Sequence, residues 1–121
     1  MKIAGFGYAS RATIRSLQDA LARAEALTGP VDALAGPDDK VAQLALLAEA
    51  RALPLIAVSA AALTSQDTAS RSPRSLATRG TGSVAEASAL AALGPPARLM
   101  ATRVLSTDRL ATCAIAERIR P

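Results

Sequence analysis

Two glycine-bearing stretches and a scatter of cations are the parts of this 121-residue chain whose types and spacing could do chemistry. In Gly80-Thr81-Gly82-Ser83-Val84-Ala85-Glu86 the Ser83/Glu86 spacing is that of a capping box. The Ser83 hydroxyl would accept from the amide three residues on, and Glu86 would reach back to the amide of Ser83. Two glycines before a helix start let the backbone approach a ligand with its amides pointing outward. The same residues also read simply as a well-capped helix after a tight turn. Gly5-Phe6-Gly7-Tyr8-Ala9-Ser10-Arg11 is the second stretch, a strand-to-helix junction of the kind where open α/β sheets bind ligands. It is not a dinucleotide fingerprint, because Ser10 stands where the third glycine belongs, and no Gly-Lys-Ser/Thr follows to make a phosphate loop. A plain turn is its alternative.

The cations divide between one turn and one loop. Lys40 follows Asp38 and Asp39 and reads either as a surface charge or as a point donor to a ligand carboxylate. Arg71, Arg74 and Arg79 fall in or beside a Ser/Thr-rich segment, where guanidinium forks could close over a polyanion or stay solvated. Glu86 is the best acid–base candidate, although its capping role competes for the carboxylate. Cys113, the single cysteine, sits in an apolar run and reads as inert packing; Thr112 and Thr102 read as structural.

Composition removes whole classes of mechanism. With no histidine, neither a Ser-His-Asp nor a Cys-His mechanism can be built, and ordinary zinc, haem or non-haem iron sites are not expected. No metal or other cofactor is assigned. Fourteen basic against ten acidic residues give a formal net charge of +4, which favours anionic partners. The surplus is spread rather than gathered in a dense block, so neither nucleic acid nor membrane is expected as a partner. Met1–Phe6 is too short for a signal peptide, and Glu49, Arg51 and Pro54 interrupt the apolar stretch Val41–Leu63. The cytoplasm is the expected location.

These residues need elements to hold them. Ile3–Phe6 reads as a buried strand, and Ile14, Leu17, Leu21, Ala24 and Leu27 as one face of a helix stopped by Gly29-Pro30. Val31–Ala35 reads as a second strand turned by Gly36-Pro37. A second helix follows, with Asp38 and Asp39 as N-cap candidates and Val41, Leu44, Leu47 and Ala48 on one face. Pro54–Val58 is a third strand, Ser59 caps a short turn ending near Leu63, and Thr64–Arg79 reads as a long loop. Ser83–Leu93 is helical and ends at Gly94-Pro95-Pro96. Arg98–Ala101 and Leu110–Ala116 close the chain as an antiparallel hairpin around Ser106–Arg109. That order predicts a three-layer α/β/α fold with a mainly parallel sheet and an antiparallel C-terminal hairpin, in one domain over residues 1–121. Only Phe6 and Tyr8 are aromatic, so the core must be built from small aliphatic side chains.

Taken in register, several segments resemble the CobE family, itself similar to the C-terminal domain of CbiG. They are Ala4-Gly5-Phe6-Gly7, Asp39-Lys40, Leu53-Pro54-Leu55, Gly80 to Ala87, and Ala111 to Glu117, which together span nearly the whole chain. The resemblance implies a place in the corrin-ring branch of tetrapyrrole metabolism, where CbiG enzymes open a lactone on a cobalt-containing precorrin. CobE-like proteins correspond to one half of those enzymes, so the lactone reaction does not carry over by itself. Many CbiG-type relatives carry a cysteine and arginines after the first Gly-x-Gly. This chain has Tyr8, Ala9, Ser10 and Arg11, which excludes a thiol there and leaves Arg11 as the anion contact.

The function implied is a binding, carrier or accessory protein for a precorrin or hydrogenobyrinic-acid-like polycarboxylate. Its ligand would lie across Gly5, Gly7, Tyr8, Ser10 and Arg11, then Lys40, then Arg79, Gly80, Thr81, Gly82, Ser83 and Glu86. Two other readings stand beside it: a hydrolase-type enzyme acting on a precorrin ring lactone, and a non-catalytic partner of other cobalamin-pathway enzymes.

Overall fold

Strand β1, Lys2–Tyr8, is the centre of the molecule, buried along Ile3, Ala4, Gly5 and Phe6. Both of its faces are covered: Ala4 and Phe6 look to one layer of helices, Ile3 and Gly5 to the other. The computed structural model describes residues 1–69, 76 and 83–119. Around β1 lie β2 (Ala33–Pro37), β3 (Leu55–Val58), β4 (Ala97–Leu105) and β5 (Ala111–Arg118), in the order β3-β2-β1-β5-β4. Strands β1, β2 and β3 run parallel, and β5 is antiparallel to both β1 and β4.

Helices α1 (Ile14–Thr28) and α2 (Ala42–Arg51) cover one face; α3 (Ala60–Thr64) and α4 (Val84–Leu93) cover the other. The fold is therefore the three-layer α/β/α arrangement expected, with the antiparallel hairpin at its C-terminal side. On α1 the buried stripe is Leu17, Ala20, Leu21 and Ala24, whereas Leu27, expected on that face, stays 69% exposed. Gly29 stops the helix at φ 87°, its amide donating to Glu25 O at 2.7 Å.

Helix α4 lies against β1 with almost nothing between the backbones. A Cβ on Gly5 would stand 2.1 Å from Ala85 O and 2.5 Å from Ala89 N. Alanines on the helix and a glycine on the strand permit that approach, which a larger residue at either place would prevent.

Three boundaries differ from the sequence reading. Strand β2 runs through Gly36 and Pro37, which pairs with Val58, so the turn falls at residues 38–40. Asp38 donates its amide to Val58 O at 2.9 Å and thereby extends the sheet; Val41, not Asp38 or Asp39, is the N-cap of α2. Strand β4 is nine residues long because it follows β5 over its whole length, with register shifts at Leu99/Ala101 and Ala101/Val104.

Candidate functional site

Parallel strands deliver their carboxyl ends to one edge, and that edge gathers most of the described residues with chemical potential. Tyr8, Pro37 and Val58 end β1, β2 and β3 there, and Ala111 begins the oppositely directed β5. Helix α4 starts at the same edge. A Cβ on Gly7 would lie 3.1 Å from Thr112 Oγ1 and 3.3 Å from Val84 Cβ, so Gly7 packs against the first residue of the helix.

The loops at this edge are stitched together by polar contacts. Tyr8 donates its hydroxyl to Lys40 O at 2.8 Å, while Lys40 Nζ donates to Tyr8 O and lies 4.8 Å from the Tyr8 ring centroid. This reciprocal pair fixes the β1–α1 junction to the β2–α2 turn, and the cation over the ring adds to it. Burial raises the Tyr8 phenol above its ordinary value, with the Gln43 amide pulling the other way. Beyond Tyr8, Ala9 N continues the ladder to Leu110 O at 2.8 Å, and Ala12 N closes a turn on Ala9 O at 2.9 Å. The side chain of Gln43 donates to Ala12 O. Ser10 and Arg11 are left exposed at the crest of that turn.

The β4–β5 turn, residues 106–110, is anchored to α1 by a network with no counterpart in the sequence reading. Asp108 Oδ1 accepts from Ser106 Oγ at 2.6 Å and from Leu110 N at 3.0 Å, while its Oδ2 accepts from Ser16 Oγ at 2.6 Å. Thr107 N donates to Asp19 Oδ2 at 2.6 Å. The Ser106 and Ser16 hydroxyls hold the Asp108 carboxyl below the usual carboxylate range, and the Thr107 amide does the same for Asp19. Arg109, at φ 64°, is a non-glycine residue in the left-handed region, with its amide on Ser106 O at 2.9 Å. In the sequence this segment is legible only as a turn; the αL position carries an arginine, so no glycine signals it.

The structure sorts the expected site residues into groups. Gly7, Tyr8, Ser10, Arg11, Lys40 and Ser83 come together at the carboxyl edge. Gly5 does not: it is buried inside the sheet under α4, and helix packing accounts for it. Arg71, Arg74, Arg79, Gly80, Thr81 and Gly82 lie outside the described residues. Ser83 caps α4 as expected, accepting from Glu86 N at 3.3 Å. The reciprocal half of the box is replaced. Glu86 is 0% exposed, and its Oε2 accepts from Arg103 N at 2.9 Å. Arg103 sits in the second register shift of β4, where the ladder to β5 is interrupted and its amide turns to the carboxylate. Buried and bonded to the β4 backbone, Glu86 ties α4 to that strand. Cys113 is fully buried, and burial, reinforced by Glu25, pushes its thiol far up; it packs rather than reacts.

Away from the carboxyl edge, an open groove of about 300 Å³ lies between Asp67–Ala69, Leu90 and the start of β4 at Ala97–Leu99. It sits at the far end of α4 from Ser83. Among the described residues, no group of three or more Asp, Glu, Cys or His side chains could hold a metal ion.

The family model for the cobalamin synthesis G C-terminus matches residues 3–116. The chain belongs to that family. Two solved structures agree with the assignment. CobE, a protein from the cobalamin (vitamin B12) biosynthetic pathway, is 30% identical, with a TM-score of 0.83 over 96% of this chain and 89% of that one. The cobalamin biosynthesis protein chiG from Agrobacterium tumefaciens is 31% identical, with a TM-score of 0.76 over 99% of this chain and 100% of that one. No curated protein matches the sequence. This member of the cobalamin synthesis G C-terminus family is thus a cobalamin biosynthesis protein. Among its described residues no helix is long and apolar enough to cross a membrane.

Proposed function

We propose that this protein binds a polycarboxylate tetrapyrrole intermediate of cobalamin biosynthesis, a precorrin or a hydrogenobyrinic-acid-like macrocycle, at the carboxyl edge of its sheet. The observation that carries the reading is convergence: the Gly7–Arg11 junction, the Lys40 turn and the Ser83 start of α4 meet at one edge although sequence separates them widely. Open α/β sheets bind ligands at such edges. Such a macrocycle carries acetate and propionate groups around a flat apolar ring. Outward backbone amides and guanidinium groups suit the acids, and small side chains suit the ring.

Binding without conversion is the reading favoured over an enzyme. Lys40 already gives one of its three N–H groups to Tyr8 O, Glu86 is buried, and Cys113 is buried. The described side chains at the edge offer donors and cations, among them Lys40 and Arg11. Titrating the protein with hydrogenobyrinic acid tests the proposal. A saturable change in visible absorption with unchanged ligand mass is expected; no spectral response would end the binding reading, and a changed ligand mass would replace it with the hydrolase-type enzyme.

A further inference from the structure

We infer that Arg109 joins Arg11 in a carboxylate-binding pair spanning the β4–β5 turn and the β1–α1 loop. The inference rests on the binding reading above and extends the ligand's footprint onto the far side of β1.

Neighbourhood comes first. The bond from Ala9 N to Leu110 O makes the two loops adjacent strands of one ladder, so the residues just beyond it, Ser10 and Arg11 on one side and Arg109 on the other, flank the same edge. Arg11 and Arg109 are both exposed, and neither side chain makes a hydrogen bond or ion pair with a described residue.

Charge comes second. Arg15 adds a third exposed cation in the first turn of α1, which has no acidic residue and where the helix dipole disfavours positive charge. Two acids stand on this side, and each keeps its negative charge while it accepts hydrogen bonds. Asp108 uses both oxygens on Ser106, Leu110 and Ser16, and Asp19 is held by Thr107 N and by Arg23 at 3.8 Å. Asp38 and Asp39 lie across the edge, on the Lys40 turn. Arg11, Arg15 and Arg109 outnumber the Asp108 and Asp19 carboxylates, and an excess of like charge is what an anionic ligand would relieve.

Backbone comes third. Position 109 follows a tight turn in the αL conformation, where glycine is the usual occupant of such a hairpin. Holding an arginine there is a local strain that the Asp108 network over-determines. Strain of that kind collects at ligand contacts, and here it fixes the backbone from which the Arg109 side chain leaves.

The experiment compares wild type with Arg109→Gly and Arg109→Asn, both residues that accept the αL backbone. Affinity is read with hydrogenobyrinic acid and with cobinamide, a corrinoid whose side chains are amides. Arg98→Gln, which removes one positive charge at the opposite edge, is the control. Both Arg109 variants should lose about tenfold or more in affinity for the acid, as for a lost paired hydrogen bond to a carboxylate. Arg109→Gly should melt at or above the wild-type temperature, and wild type should prefer the acid to the amide. If wild type binds and either Arg109 variant binds equally well, this inference fails while the binding reading stands. An equal loss in Arg98→Gln would reduce the effect to net charge and also overturn it, as would equal wild-type affinity for cobinamide. Failure of wild type itself to bind would overturn the binding reading and this one together.

Discussion

Gly5 and Gly7 are two residues apart and play different parts. Gly5 permits α4 to touch β1: a methyl group there would meet the Ala85 carbonyl and the Ala89 amide, neither of which can move without the helix. Gly5→Ala is therefore expected to cost at least ~1–3 kcal/mol, the range for overpacked cores, measured by urea denaturation. Gly7 lies at the edge, where its neighbours are a threonine hydroxyl and a valine Cβ just over 3 Å away, so Gly7→Ala should be milder. Ser83→Ala should lose about 1 kcal/mol as a missing cap, read from the same unfolding curves. An unchanged midpoint would show that the 3.3 Å bond to Glu86 N contributes nothing.

Between elements, polar contacts set how the pieces dock. Glu86 joins α4 to the irregular part of β4, and Glu86→Ala would leave the Arg103 amide without that acceptor. A loss of roughly 1–3 kcal/mol is expected for such a buried group. Asp108 and Asp19 tie the β4–β5 turn to α1. Their carboxyls titrate below the ordinary 3.8 in the folded protein. A carboxyl depressed on folding contributes stability that is complete above its unfolded value and is lost as pH falls through its folded one. Stability should thus decline on acidification below about pH 4, and Asp108→Asn should lower the melting temperature at neutral pH while flattening that decline. An acid limb as steep as in wild type would remove Asp108 from its cause.

For the molecule as a whole, the carboxyl edge matters because one arrangement of strands brings distant loops together. A macrocycle held there through several carboxylates should bind less tightly as ionic strength rises, since exposed charge–charge attraction is screened. Isothermal titration across a salt series measures this, and salt-independent affinity would point to the ring, not the acids, as the recognised part. The edge also explains which of its residues were legible in the sequence. Gly7, Ser10, Arg11 and Ser83 stand at junctions between elements, and junctions are written in local sequence. The packing of Gly5 under α4 and the bond from Arg103 N to Glu86 were not legible, because what meets these residues comes from other elements.

The amino-acid sequence alone fixed the order of strands and helices, through apolar period and through stops such as Gly29 and Gly94. It also excluded histidine-based mechanisms by composition, and its spaced motifs placed the chain in its family. Only the tertiary structure decided that Asp38 extends the sheet, that Lys40 and Tyr8 clasp each other, and that Asp108 locks the β4–β5 turn to α1. The reason is physical. Burial period is a property of neighbours along the chain, whereas a hydrogen bond from Ser16 to Asp108 exists only once folding has closed the ninety-odd residues between them.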